Sequence, residues 1–231
     1  MAIIQLPPPR EIFLDFDGFL VDSHPLINAS YRHAYEKMGL PRPSDEELKK
    51  NLKGSGLKSF PAIFGKKSDL AWEHYTKFYR EHQFDPDIGV KPIEGAEEFL
   101  ATLYAFNKLP IIATNKLGEF TEDEIQHFGW QDYIRFTVGS GDAGDGDMDK
   151  PNPALLHLAI RRLGSEPSPQ DWMCGDTMTD ALTAQNYGCV PIIVSKKIKH
   201  SVPGAYHFDS IEELTASTRM ALTQTDHRLI L

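Results

Sequence analysis

Short apolar runs alternate along this chain with segments in which apolar residues recur every third or fourth position. The series opens at Glu11-Ile12-Phe13-Leu14-Asp15-Phe16, an apolar run rich in strand formers that stops in carboxylates; it predicts a strand over 11–16. Leu26, Ile27, Ala29, Tyr31, Ala34, Tyr35 and Met38 then follow largely helical spacing, and Gly39 and Pro41 end that helix. Ser44-Asp45-Glu46-Glu47 is a capping-box pattern that opens a second helix, broken at Gly54-Ser55-Gly56. Residues 70–83 read as a third, with Trp72, Tyr75, Phe78 and Tyr79 on its apolar side. From about 22 to 88 the pattern is helical and shows no convincing strand, which predicts an inserted helical unit.

After Pro86 the rhythm changes. Buried-type strands are predicted over 110–114, 133–138, 171–174, 190–194 and 205–208. Helices are predicted over 95–106, 117–128, 151–163, 177–187 and 210–220. Strands alternating with helices imply parallel βαβ units with right-handed crossovers. The expected fold class is α/β: a three-layer, doubly wound parallel sheet formed by residues 1–21 and 89–231, with an all-helical cap inserted over 22–88.

Composition narrows the function classes. The 231 residues carry a formal net charge of −9, which argues against non-specific nucleic-acid binding. No apolar run reaches the length of about 20 residues that a membrane span needs. The first ten residues include Pro7-Pro8-Pro9 and lack the apolar core of a signal peptide. Two cysteines, Cys174 and Cys189, offer neither a metal-ligand cluster nor a disulfide framework and are expected to be buried apolar side chains. A cytoplasmic protein, monomer or homodimer, without membrane or nucleic-acid partners, is the expectation.

Chemistry gathers where predicted strands end. The first ends in Asp15-Phe16-Asp17-Gly18, the second in Thr114-Asn115-Lys116. The loop after the third leads to Lys150-Pro151-Asn152-Pro153, and the fourth ends in Gly175-Asp176-Thr177-Met178-Thr179-Asp180. Ligands of open α/β sheets bind outside the carboxyl ends of the strands. Paired carboxylates suit a hard cation such as Mg²⁺, or a nucleophile beside a proton donor. A turn, a helix cap or a solvated lysine accounts for any one of these stretches but not for all four in strand order.

With these four motifs in order, the chain resembles the haloacid dehalogenase-like hydrolase superfamily over nearly its whole length. The helical insertion between the first two resembles the cap of the subfamily that contains phosphoglycolate phosphatases. The resemblance implies Asp15 as nucleophile, giving an aspartyl-phosphate, and Asp17 as general acid and base. It implies Mg²⁺ held by the Asp15 carboxylate, the Asp17 backbone carbonyl and Asp176, with Asp180 supporting the metal site or orienting Lys150. Thr114, backbone N–H groups near Asn115, and Lys150 would receive the phosphoryl oxygens. In the dehalogenase branch the position matching Asp17 is not an acid, so Asp17 favours phosphate transfer. The substrate implied is a small phosphorylated metabolite resembling phosphoglycolate. The family usually places threonine after Asp-x-Asp-Gly, whereas this chain has Phe19.

Other stretches compete for a role. Asp145-x-Asp147-x-Asp149 is similar to the opening of a calcium loop but lacks the glycine at the sixth place and the distal glutamate, and is read as a solvated turn. Gly54-Ser55-Gly56 lets backbone approach a ligand, and Lys53 or Lys58 would then meet an acidic substrate; an interhelical turn with solvated lysines is the alternative. Lys196-Lys197-Ile198-Lys199 is read as a solvated face, His24 as a helix start, and the four aromatic residues from Trp72 to Tyr79 as cap core. A phosphomutase of the β-phosphoglucomutase type and a non-catalytic binding protein on the same fold are the competing functions. The basic residue that the mutase pattern places shortly after the glycine turn falls on Leu57 here.

Overall fold

The computed structural model describes residues 3–51, 54–196, 198 and 202–226. Lys53, Lys197 and Lys199 lie outside them. Ile12–Leu14 (β1) is buried on both faces, as an unbroken apolar run demands of a central parallel strand. A tight loop after it leads to Val21–Asp22 (β2). Four helices follow: His24–Lys37 (α1), Asp45–Asn51 (α2), Gly56–Phe64 (α3) and Ser68–His82 (α4). The chain returns through Lys91–Pro92 (β3), which pairs antiparallel with β2. The remainder alternates: Ala96–Ala105 (α5), Ile111–Ala113 (β4), Gly118–His127 (α6), Phe136–Val138 (β5), Ala154–Leu163 (α7), Trp172–Gly175 (β6), Met178–Tyr187 (α8), Val190–Val194 (β7), Tyr206–Phe208 (β8) and Ile211–Asp226 (α9).

Six strands form one parallel sheet in the order β5-β4-β1-β6-β7-β8. β1 therefore lies in the middle, where the strand order reverses and a crevice opens at the carboxyl edge. Leu14 pairs with Ile112 on one side and Cys174 on the other, so three strands end at one level. Alternation along β1 splits the core. Phe13 packs with Ile111, Met173 and the apolar faces of α7 and α8. Ile12 and Leu14 pack with Ile112, Cys174 and residues of α5, α6 and α9. That second cluster continues without a break into the helical insertion, where α1 runs against α4.

All six expected strands of the main sheet are present. β2, β3 and α3 escaped the sequence pattern. The β2–β3 ribbon has only two residues per strand, too few to show a period. α3 carries Pro61 in its interior, which ordinarily breaks a helix. Here Phe60 and Phe64 are buried and hold it in place. Phe19 is buried against Phe99 of α5, edge to face at 6.1 Å, so it belongs to the core. Among the described residues no helix is long and apolar enough to cross a membrane.

Candidate active site

Asp15 is the first residue past β1, and its N–H extends the sheet ladder by donating to the Cys174 carbonyl (2.8 Å). The ladder thereby fixes the nucleophile candidate at the sheet edge. The next turn closes tightly: the Gly18 N–H donates to the Val21 carbonyl (2.7 Å) and the Val21 N–H to that of Phe16 (3.1 Å). Gly18 has φ +83°, and a Cβ there would come within 2.7–2.9 Å of the Asp176 carboxylate. Only glycine lets the first motif turn while Asp176 lies against it.

Lys150 enters from the loop before α7. Its Nζ lies 2.7 Å from Asp15 Oδ1 and 2.7 Å from Asp180 Oδ1, and the side chain is almost wholly buried. Asn115 clamps this loop: its Nδ2 donates to the Lys150 carbonyl (2.9 Å) and its Oδ1 accepts from the Lys150 N–H (2.8 Å). Asp180 spends its other oxygen at the start of α8, accepting from the Thr177 N–H (3.0 Å) and hydroxyl (2.6 Å). One carboxylate thus both caps a helix and aims a lysine. Thr114 is buried, and its Oγ1 accepts from the Lys116 N–H (3.2 Å), so its hydroxyl proton is free to be donated.

The electrostatics follow from this crowding. Burial, reinforced by the Asp180 charge, raises the Asp15 carboxyl well above the usual range, against the pull of Lys150. Burial and then Asp180 push Asp176 up to about 7. Lys150 is lifted despite burial, because Asp15 and Asp180 outweigh the desolvation of its ammonium. Carboxylate oxygens of Asp15, Asp176 and Asp180 all lie within 4.8 Å of one another. Asp176 Oδ1 is buried without a hydrogen-bond partner among the described residues. An oxygen-rich, over-charged cluster with an orphaned acceptor fits a hard divalent cation.

A second charged group adjoins the first. Lys116 Nζ sits 3.0 Å from Asp17 Oδ1 and 2.6 Å from Glu124 Oε2. Burial opposes its charge, but Asp17 and Glu124 prevail and raise its pKa. Ser23 Oγ also donates to Asp17 Oδ1 (2.6 Å). Both donors hold the same oxygen, so Oδ2 is left for other work. Glu124 in turn accepts from the Tyr79 hydroxyl (2.9 Å) and from Gln83 Nε2 (2.9 Å), tying α4 to α6. A cavity of about 220 Å³ opens over both groups, with Asp15, Asp17, Thr114, Lys150 and Asp180 at one end and aromatic rings at the other.

The description haloacid dehalogenase-like hydrolase matches residues 12–194, a span that takes in all four motifs. The chain belongs to that family. The hydrolase is 30% identical to the phosphoglycolate phosphatase of Chromobacterium violaceum over 195 residues, which cover 80% of this chain and 84% of the relative. It is 25% identical to the pyrophosphatase PpaX of Halalkalibacterium halodurans over 188 residues, 81% of this chain and 84% of that one. Its fold is similar to that of CbbY from Rhodobacter sphaeroides in complex with phosphate, with a TM-score of 0.76 at 18% identity, covering 89% of this chain and 96% of that one.

Within this hydrolase the structure brings Asp15, Asp17, Thr114, Asn115, Lys150, Asp176 and Asp180 to one sheet edge. Asp17 contributes no side chain to the three-carboxylate cluster. Asn115 reaches the cavity, yet both side-chain amide atoms serve the Lys150 backbone. Lys58 is not brought in: its Nζ pairs with Asp147 (2.8 Å) on the exposed rim. The acidic loop is only partly a solvated turn, because Asp149 is buried and accepts from the Ser140 hydroxyl (2.6 Å). Trp72, Tyr75 and Tyr79, expected in the cap core, also line the cavity, whereas Phe78 stacks on His33 elsewhere. His24 starts α1 as expected and lines the cavity mouth. Ser23 and Glu124 carry no signal in the sequence, and Lys116 stands there only as the end of the second motif. The Lys116 position beside Thr114-Asn115 was the one available signal.

Proposed function

We propose that this hydrolase is a Mg²⁺-dependent phosphatase acting on a small phosphate monoester through an aspartyl-phosphate on Asp15. The observation that carries the reading is the Asp15–Lys150–Asp180 triad in the cavity wall, with the orphaned Asp176 carboxylate beside it. Asp15 attacks phosphorus while the ester oxygen departs. Asp17 gives that oxygen its proton through Oδ2, then takes a proton from the water that attacks the aspartyl-phosphate. Thr114 and Lys150 receive the phosphoryl oxygens. Asp15, the Asp17 backbone carbonyl and Asp176 would hold the ion, with Asp180 at its side aiming Lys150; the ion supplies neutralisation of phosphoryl charge. Residues 22–88 form the cap that excludes bulk water. Two free, buried cysteines support action in the reducing cytoplasm.

Phosphoglycolate, the substrate in one relative's name, is the first compound to try. Phosphate release over a panel of monoesters, with and without Mg²⁺, tests the reading. Turnover is expected only with the metal and only with Asp15 intact. Release retained in Asp15→Asn would remove the nucleophile assignment. An isomerised sugar phosphate in place of free phosphate would favour the mutase.

A further inference from the structure

The cavity has an aromatic end, which adjoins the Lys116–Glu124 pair. Tyr31 of α1, Trp72, Tyr75 and Tyr79 of α4 and Phe120 of α6 wall it. Trp72 and Tyr75 stack with centroids 5.3 Å apart and planes 11° apart. Gly56 makes room for this pair, since a Cβ there would lie 2.3 Å from the indole ring. The hydroxyls at this end are mostly spent. Tyr31 is hydrogen-bonded to Ser59 (2.6 Å), and Tyr79 donates to Glu124. Tyr75 is only 8% exposed, and its hydroxyl has no hydrogen-bond partner among the described residues.

The described cations at this end are already paired: Lys116, over the Tyr79 ring, with Asp17 and Glu124, and Arg80, over the Phe120 ring, with Glu119. Among the described residues, the lysines of the cavity wall are Lys116 and Lys150, and each is already held between two carboxylates. His24 stands at the exposed mouth. A carboxylate on the departing alcohol would be stripped of water against aromatic rings where, among the described residues, the ammonium over the Tyr79 ring, that of Lys116, is already shared by Asp17 and Glu124. An uncharged planar or apolar group would instead displace water from those rings and gain stacking area.

We infer that the leaving group is an uncharged alcohol bearing a planar or apolar group, read by the Trp72–Tyr75 pair with the Tyr75 hydroxyl as its one polar contact. This rests on the phosphatase reading and names its substrate class. The decisive comparison is benzyl phosphate, ethyl phosphate and phosphoglycolate with the full-length protein and Mg²⁺. All three are alkyl esters, so the chemistry of departure is matched. The kcat/KM for benzyl phosphate should exceed that for each of the others by about ten-fold or more, chiefly through KM. The benzyl-to-ethyl ratio should fall about five-fold or more in Trp72→Ala and in the milder Trp72→Leu, with Leu retained in case Ala unfolds the cap. A kcat/KM for phosphoglycolate equal to or above that for benzyl phosphate would overturn the inference and leave the phosphatase standing. An unchanged benzyl-to-ethyl ratio in folded Trp72→Leu would overturn it too. Failure to hydrolyse any of the three, or any of the wider panel, would remove both.

Discussion

Lys116 shows how one side chain serves two carboxylates. It and Ser23 hold a single oxygen of Asp17, which leaves the other unspent in a residue that lines the cavity. Lys116→Met should therefore lower kcat/KM on alkyl phosphates by about ten-fold or more, while p-nitrophenyl phosphate suffers less because nitrophenolate departs without a proton. Equal losses on both would assign Lys116 to structure alone. The same substitution leaves Glu124 buried without its cation, at a cost of about 3–5 kcal/mol, so a denaturant titration should accompany the kinetics. At this scale the sequence was readable wherever chemistry sits beside a strand end, as with Asp15, Thr114 and Asp176. It was silent on pairs that only the fold brings together, such as Asp17 with Lys116, 99 positions apart.

Elements were legible in proportion to their length and regularity. The six strands of the main sheet show as short, mainly apolar runs, and the helices between them as apolar residues at helical spacing. α3 does not, because Pro61 and its flanking glycines mimic a loop, and only the burial of Phe60 and Phe64 explains why a helix survives. This helix sends Lys58 outward to Asp147 on the rim, where both partners are exposed to solvent. Lys58→Ala should consequently change neither turnover nor thermal stability appreciably, in contrast to what a substrate contact would require. A rise in KM of ten-fold or more in that variant would return Lys58 to the site. The trimmed contact between α4 and α6, built on Tyr79, Gln83 and Glu124, is the fixture that places the aromatic wall above Asp17.

At the level of the whole molecule, the cost of assembling so many acids at one sheet edge becomes visible in stability. In the unfolded chain carboxyls ionise near pH 4. Folded, Asp176 keeps its proton up to about 7, and Asp15 is also raised, burial being the main cause for each. Between those limits the native state binds more protons than the unfolded one, so stability falls as pH rises from about 4 to about 7. Mg²⁺ should offset this loss, and calorimetry should show a larger metal-induced rise in Tm at pH 7.5 than at pH 5. An equal rise at both values would disconnect the ion from these acids.

The entry and exit of the helical insertion lie side by side, β2 against β3, with the Ile93 N–H donating to the Leu20 carbonyl (2.9 Å). Excising everything between would leave two backbone ends within easy reach of a short linker. The aromatic rings of α1 and α4 thus depend on the sheet for their placement at two points, this ribbon and the Glu124 contacts of Tyr79 and Gln83. Grafting a different insertion at that ribbon offers a route to new leaving-group preferences, provided Ser23, which holds Asp17, is kept.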